Sequence, residues 1–200
     1  MEEPGYLHKV SFLIIDDNTF MRTVLRNILR HFDVRNIREA SNGAEALQTM
    51  QSWTPDIIVV DWEMSPFDGI EFTRMVRQST SETERFIPII MISGHTEYWR
   101  IQQARNKGVN EFLVKPLSPK ALFSRIRAII ERPRPFIKAP GYFGPDRRRK
   151  DHKYDEERRK DSQTTVRVPA EKLLEQDQIN ALFNPGSEQP DECDEKALSE

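Results

Sequence analysis

The stretch VSFLIIDDNTFMRTVLRNILRHF, residues 10–32, decides the fold. It opens on a short apolar run, residues 10–15, that Asp16 and Asp17 stop. Behind the acidic pair, Phe20, Val24, Ile28 and Phe32 recur at steps of four, with Met21, Leu25 and Leu29 beside them. That spacing predicts an amphipathic helix over 19–32. Asp17 reads as a cap for it. The run before it does not alternate apolar with polar, so both faces of that strand are expected to be buried, as in a parallel sheet.

The same pairing recurs along the chain. NIREA (36–40) reads as a short edge strand and GAEALQTMQS (43–52) as a helix. DIIVVD (56–61) precedes a helix at 70–78, and IPIIMIS (87–93) precedes one at 96–108 that Gly108 stops. EFLVK (111–115) precedes a helix at 118–132, where Ser118 and Pro119 form a cap and first-turn pair. QSTSETERF (78–86) reads as a surface insertion. Five strand–helix units predict an α/β fold, a doubly wound five-stranded parallel sheet over residues 8–131. In such a sheet the site lies at the carboxyl ends of the strands.

Composition places the remainder. The chain has 200 residues, 37% hydrophobic and 31% charged, with a net charge of −2. That supports a core of ~120 residues better than one spanning the whole chain. The near-neutral total conceals blocks of opposite sign, +6 over residues 132–160 and −5 over 186–200. Residues 132–168, rich in proline and arginine, read as an extended linker or weakly ordered arm. Between Pro169 and Pro185 lies one amphipathic helical island, with Ile179, Leu182 and Phe183 on one face and Leu174 near it. A helix of ~14 residues is marginal alone, so it is expected to dock on a surface. The acidic end, 186–200, reads as disordered. The expectation is therefore a domain followed by a largely disordered tail with one short helix.

No run is long and apolar enough for a membrane span, and the N-terminus lacks the apolar region of a secretory signal. Cys193, the one cysteine, has no partner for a disulfide or a thiolate metal site. The expected compartment is a reducing cytoplasm.

The strand ends carry the chemistry. The first ends in Asp16 and Asp17, the third in Asp61, the fourth in Ser93 and the fifth in Lys115. Three carboxylates on one rim repel unless a cation joins them. Hard oxygen ligands suit Mg²⁺. A lysine suits a phosphate, a serine offers a hydroxyl, and an aspartate can be the nucleophile of phosphoryl transfer. Each aspartate alone reads equally well as a strand end or a helix cap; all of them meeting at one rim argues for a site. A phosphohydrolase of the haloacid dehalogenase kind is the enzymatic alternative. Its D-x-D nucleophile belongs at the first strand, where this chain has an adjacent pair, and Asp61 ends the third.

The stretches FLIIDDNTFMRTVLRNIL, DIIVVDWEMSPFDGIEF, IPIIMISGHT and GVNEFLVKPLSP resemble the receiver domain of bacterial two-component response regulators, the CheY-like family with a flavodoxin-like sheet. The resemblance covers about two thirds of the chain, with every motif in order. It implies that Asp61 accepts a phosphoryl group from a histidine kinase or a phosphotransfer protein. It implies that Asp16, Asp17 and Asp61 hold Mg²⁺ with the backbone carbonyl of Glu63, and that Lys115 pairs with the phosphoryl oxygens. Ser93 would be the switch hydroxyl and Phe112 the switch aromatic that follows it inward. The Lys115–Pro116 bond would be cis. The output would be a change in protein contacts on the face made by the fourth helix, fifth strand and fifth helix, not an independent catalytic domain. Glu63 departs from the residues usual at its position and places another anion near the phosphoryl group.

Other residues have plainer readings beside functional ones. His95 reads as a solvated loop histidine and alternatively as a partner contact. His31 reads as a surface residue complementing a helix end. Trp62 walls the site or simply packs; Tyr98 and Trp99 are candidates for the output face. In the tail, Arg147, Arg148 and Arg149, with Tyr142 and Phe143 beside them, suit an anionic ligand such as a cyclic dinucleotide, nucleic acid or lipid; the plainer reading is a solvated charged arm. A DNA-binding output needs ~60 or more residues around a helical core, which the tail lacks, so nucleic acid is not an expected partner. LEQDQINALFNPGSE (174–188) is similar to the N-terminal peptide of the flagellar motor-switch protein, which docks on a phosphorylated chemotaxis receiver. That implies that Ile179, Leu182 and Phe183 anchor the helix on a receiver face, its own or a second copy's in a homodimer. A phosphorylation-independent scaffold is the remaining alternative.

Overall fold

The computed structural model describes residues 7–147 and 175–183. Five parallel strands, β1 (Ser11–Ile15), β2 (Asn36–Ala40), β3 (Ile57–Asp61), β4 (Ile89–Ser93) and β5 (Glu111–Val114), form one sheet in the order β2-β1-β3-β4-β5. Between and after them run α1 (Thr19–His31), α2 (Gly43–Ser52), α3 (Gly69–Gln78), α4 (Tyr98–Asn106) and α5 (Pro119–Glu131). All of β1, β3 and β4 is buried, as their unbroken apolar runs require. At the edge, β2 alternates, as its mixed sequence does.

The pleat divides the core in two. Phe12, Ile14, Val59, Ile90 and Leu113 point to one face, where Leu25, Ile28 and Leu29 of α1 and Leu122 and Ile126 of α5 cover them. Leu13, Ile15, Ile58, Val60, Met91 and Phe112 point to the other, under α2, α3 and α4. The doubly wound expectation is met. Among the described residues no helix is long and apolar enough to cross a membrane.

Local caps set the helix starts. Asn18, not Asp17, caps α1: its side chain accepts from the amides of Phe20 and Met21. Ser118 caps α5 ahead of Pro119, as its sequence predicts. Gly69 begins α3 because a Cβ there would lie 2.3 Å from the Asp61 carbonyl oxygen, so the backbone passes directly over the end of β3.

The extended-linker expectation for 132–168 is corrected over residues 136–145. They form an antiparallel hairpin, β6 (Phe136–Ala139) and β7 (Tyr142–Pro145), turned at Gly141 with φ of 73°. The signal missed was the run of aromatics at 136, 142 and 143. Phe136 and Phe143 each meet Phe86, from the segment first read as an insertion, edge-on, and lie tilted against one another. Beneath them Arg77 is buried. It donates to the carbonyls of Gly108, Arg85 and Ile87 and to Asn110 Oδ1, at 2.8–3.0 Å. Burial pulls its pKa down to about 9, so it stays charged at neutral pH. Phe136 covers its guanidinium and Arg85 lies over Phe143. The aromatics that suggested base stacking, Tyr142 and Phe143, are thus engaged within the chain. Tyr142 donates to the Pro145 carbonyl, and Arg147 lies over its ring and donates to Asn106. Arg148 and Arg149 lie outside the described residues, as do 148–174 and the acidic end.

Beyond the hairpin a short helix, α6 (Gln176–Phe183), packs on β5. Its described length is shorter than the predicted island, and Leu174 lies outside the described residues. Ile179 and Phe183 are buried in the same apolar cluster as Phe112, with Leu182 packed against it.

The hairpin depends on a close approach. A Cβ at Gly144 would lie 2.8 Å from Tyr142 Oη and 2.9 Å from Gly108 Cα. Gly144→Ala is expected to lower stability by about 1–3 kcal/mol, read as a lower urea midpoint with faster amide exchange in β6 and β7. An unchanged midpoint with unchanged exchange would show that the hairpin does not need that contact.

Candidate functional site

The sheet delivers its polar residues to one rim. Asp16 follows β1 directly, Asp61 is the last residue of β3, Ser93 the last of β4, and Lys115 follows β5. The carboxylate oxygens of Asp16, Asp17 and Asp61 lie within 4.8 Å of one another. Asp16 and Asp61 are buried and Asp17 is exposed. Lys115 Nζ sits 2.9 Å from Asp61 Oδ1 and 3.9 Å from Asp16 Oδ2. One ammonium therefore faces three acids, which leaves the rim short of positive charge.

Two consequences follow for the acids. Burial, more than any neighbour, pushes the Asp61 carboxyl up to about 6, with Asp16 adding to the rise and Lys115 opposing it. Burial also raises Asp16, against the hydrogen bond from the Asn18 amide and the charge of Lys115. Asp16 Oδ1 accepts from that amide at 2.8 Å, while its Oδ2 is buried and has no hydrogen-bond donor. An orphaned buried carboxylate oxygen among clustered hard-oxygen donors fits a small divalent cation such as Mg²⁺.

The loops around the rim are tied together. Ser93 is buried, and its Oγ accepts from the His95 amide at 3.0 Å. The backbone amide of Lys115 donates to the Ser93 carbonyl at 2.9 Å. The Lys115–Pro116 bond is cis, as expected, and so is Ser65–Pro66. The solvated-loop reading of His95 is corrected: its Nε2 lies 2.6 Å from Glu63 Oε1, and its Nδ1 lies 3.5 Å from Glu97. The pair joins the loop after β3 to the loop after β4. The His95 hydrogen bond draws the Glu63 carboxyl below its usual range, so the Glu63 side chain is held by the histidine. Sequence spacing carries no signal of this contact, because residues 63 and 95 belong to different units.

Phe112 is already buried. Its ring meets Trp62 edge-on at 6.3 Å and stacks on Phe183 at 6.0 Å. Trp62 is buried, whereas Trp99 is half exposed beside Arg100. His31 ends α1 against the ring of Phe32.

The chain is similar to known proteins. The response regulator receiver domain family matches residues 12–127. The chain is 34% identical over 123 residues to the chemotaxis protein CheY of Pseudomonas aeruginosa, a match covering 62% of this chain and 98% of that one. It is 32% identical over 123 residues to CheY-3 of Vibrio cholerae, covering 62% and 93%. Among solved structures it is similar to a response regulator from Chloroflexus aurantiacus, at 28% identity and a TM-score of 0.57, covering 62% and 98%. The β6–β7 hairpin and α6 lie beyond the matched residues 12–127.

The raised Asp61 carboxyl has a stability consequence whose sign is fixed. Its folded pKa of about 6 exceeds the ordinary 3.8. The contribution is therefore fully present below about pH 4 and lost as pH rises through about 6. Without divalent cations, Asp61→Asn is expected to be more stable than the parent at pH 7, by about 2–3 kcal/mol. The gain should shrink towards zero near pH 4. Thermal unfolding across that range tests it; an asparagine variant that is less stable at pH 7 refutes the electrostatic account.

Proposed function

The chain belongs to the response regulator receiver domain family, and from that membership we propose that Asp61 is its phosphoacceptor, charged by a histidine kinase or a phosphotransfer protein. The observation that carries the reading is the contact of Lys115 Nζ with Asp61 Oδ1 at 2.9 Å, inside a cluster of three carboxylates that one ammonium does not neutralise. Residues 12–127 are the receiver domain of a CheY-like response regulator of bacterial two-component phosphorelay signalling.

The chemistry asks little covalent work of the protein. With a carboxyl pKa of about 6, Asp61 is mostly ionised at neutral pH and can attack phosphorus in line. An Oδ–P bond forms as the P–N bond of the donor's phosphoimidazole breaks, and the imidazole leaves with the electron pair. Lys115 stays beside the same carboxylate and pairs with the phosphoryl oxygens. Asp16, Asp17 and Asp61, with the backbone carbonyl of Glu63, would hold Mg²⁺, which supplies charge neutralisation for the transferring group. Ser93 gives up the His95 amide and turns its hydroxyl to the new phosphoryl oxygens. Phosphorylation adds about two negative charges at the rim. Ser93 and Phe112 then carry that change to the face of α4, β5 and α5.

On this reading the protein acts in the cytoplasm as a phosphorylation-controlled binding switch with a downstream protein target. Its tail is an interaction or autoregulatory segment and not a DNA-binding or catalytic output. Ile179, Leu182 and Phe183 are the tail's contact residues. No observation favours the anionic-ligand alternative, since Arg147, its one described arginine, is engaged with Asn106 and Tyr142.

A small phosphodonor with Mg²⁺ is expected to give one phosphoryl adduct by intact-mass spectrometry. The adduct should be lost in Asp61→Asn and on chelation of the metal. Because Lys115 faces the reacting carboxylate, Lys115→Ala should slow adduct formation by roughly 10²-fold or more. An adduct that persists in Asp61→Asn, or none in the parent chain, overturns the proposal.

A further inference from the structure

The strand β5 is one edge of the sheet, and α6 covers it in a specific way. Val114 N–H and the Phe112 carbonyl face away from β4 and need partners. One side chain supplies both. Gln176 Oε1 accepts from Val114 N at 2.7 Å, and Gln176 Nε2 donates to the Phe112 carbonyl at 3.3 Å. The carboxamide thus stands in for the peptide group of a neighbouring strand. Asn180, one turn on, accepts from the same Nε2 at 2.7 Å and fixes its orientation. At the other end, Arg105 of α4 donates to the Leu182 carbonyl at 3.2 Å, capping the helix's last turn.

The apolar anchors lie three and seven residues beyond the glutamine, on the same face. Ile179 is 0% exposed and Phe183 2%, although they belong to an eight-residue helix outside the sheet. The outward residues, Asp177 and Gln178, are exposed. Eight residues do not hold a helix in water, so the groove itself orders this segment.

The occupant is the chain's own. Arg147, where the hairpin ends, donates to Asn106 at the last residue of α4. Arg105, the residue before, holds the end of α6. The first turn of α6 lies at Val114, through Gln176, and residues 148–174 join it covalently to Arg147, which keeps the effective concentration of α6 at its groove high.

Resting on the receiver reading above, we infer that α6 is a displaceable internal ligand of the β5–α4 groove. The groove is a binding site for an amphipathic helix carrying a carboxamide, with apolar residues three and seven positions on. A downstream partner of that form competes with α6. Occupancy is coupled to Asp61 through Phe112, whose ring touches Phe183 on one side and Trp62, the neighbour of Asp61, on the other. The coupling is reciprocal: whatever moves Phe112 changes the hold on α6, and α6 resists the movement of Phe112.

The test uses the full chain and two tail variants, Gln176→Ala and Phe183→Asp, neither of which touches the Asp61 cluster. Hydrogen exchange at the Val114 amide reads docking directly. Exchange at least roughly tenfold faster in each variant, with core amides of β1 and β3 unchanged, is expected. Equal exchange in parent and variants overturns the docked helix. A labelled peptide of residues 174–186 should bind the Phe183→Asp chain at least roughly tenfold tighter than the parent chain, whose groove is filled. Equal binding, or no binding to the variant, overturns the competition. Val114 protection that vanishes on dilution as a dimer dissociates would assign the helix to a second copy and overturn the internal ligand.

The coupling is read separately, with Mg²⁺ and a small phosphodonor. Val114 exchange in the parent chain should change as the phosphoryl adduct forms, and Asp61→Asn should not respond. An adduct with unchanged exchange overturns the coupling and leaves the receiver reading standing. Failure to form any adduct overturns the receiver reading, while the exchange and peptide results still decide the internal ligand.

Discussion

Everything at the acidic rim follows from crowding three carboxylates, two of them buried, at the carboxyl end of a buried sheet. The three central strands have no exposed residue, so their ends are fixed by apolar packing on both faces. That packing offsets the repulsion of Asp16, Asp17 and Asp61 and the cost of burying two of them. Lys115 relieves part of it, but one ammonium against three acids leaves a site that gains from an added cation. Burial above all, with Asp16 adding to it and Lys115 opposing it, holds the Asp61 carboxyl at about 6, so it is mostly ionised at neutral pH. The strain is electrostatic, and the fold maintains it.

The opposite rim solves the reverse problem and is silent for that reason. There Arg77 buries a guanidinium below the amino ends of β4 and β5, but three carbonyls and Asn110 meet its donors. A buried charge held by four hydrogen bonds has little left to offer a ligand. The hairpin packs its aromatic residues over this hub and adds a lid of Phe136 and Phe143. The contrast separates the two rims better than charge alone: both hold buried ions, and among the described residues it is the acidic rim where Asp16 Oδ2 is buried without a donor.

The edge of the sheet is the third consequence. The β2 edge is left half exposed with polar residues, whereas the β5 edge is closed by the chain's own tail. A glutamine side chain replaces a strand, and two apolar residues replace a helix face. The closure lies against Phe112, so the part of the chain beyond the matched residues 12–127 is in physical contact with the ring that connects to the Asp61 rim.

Periodicity and composition alone determined the five strand–helix units, the parallel sheet and the order in which Asp16, Asp17, Asp61, Ser93 and Lys115 reach its carboxyl end. Those features rest on local patterns, runs buried on two faces and helices with one apolar stripe, which each segment displays without its neighbours. Tertiary structure alone decided the rest. The Glu63–His95 link joins two units and has no spacing that marks it. The hairpin looked like a proline-rich linker because its stability lies in Phe86, Arg77 and Gly108, none of which is near it in sequence. The sequence marked 169–185 as a helix that needed a surface; that its glutamine would fit the free edge of β5 depends on where the sheet ends. Local patterns specify elements because their physics is local; pairings between distant residues exist only once packing has brought them together.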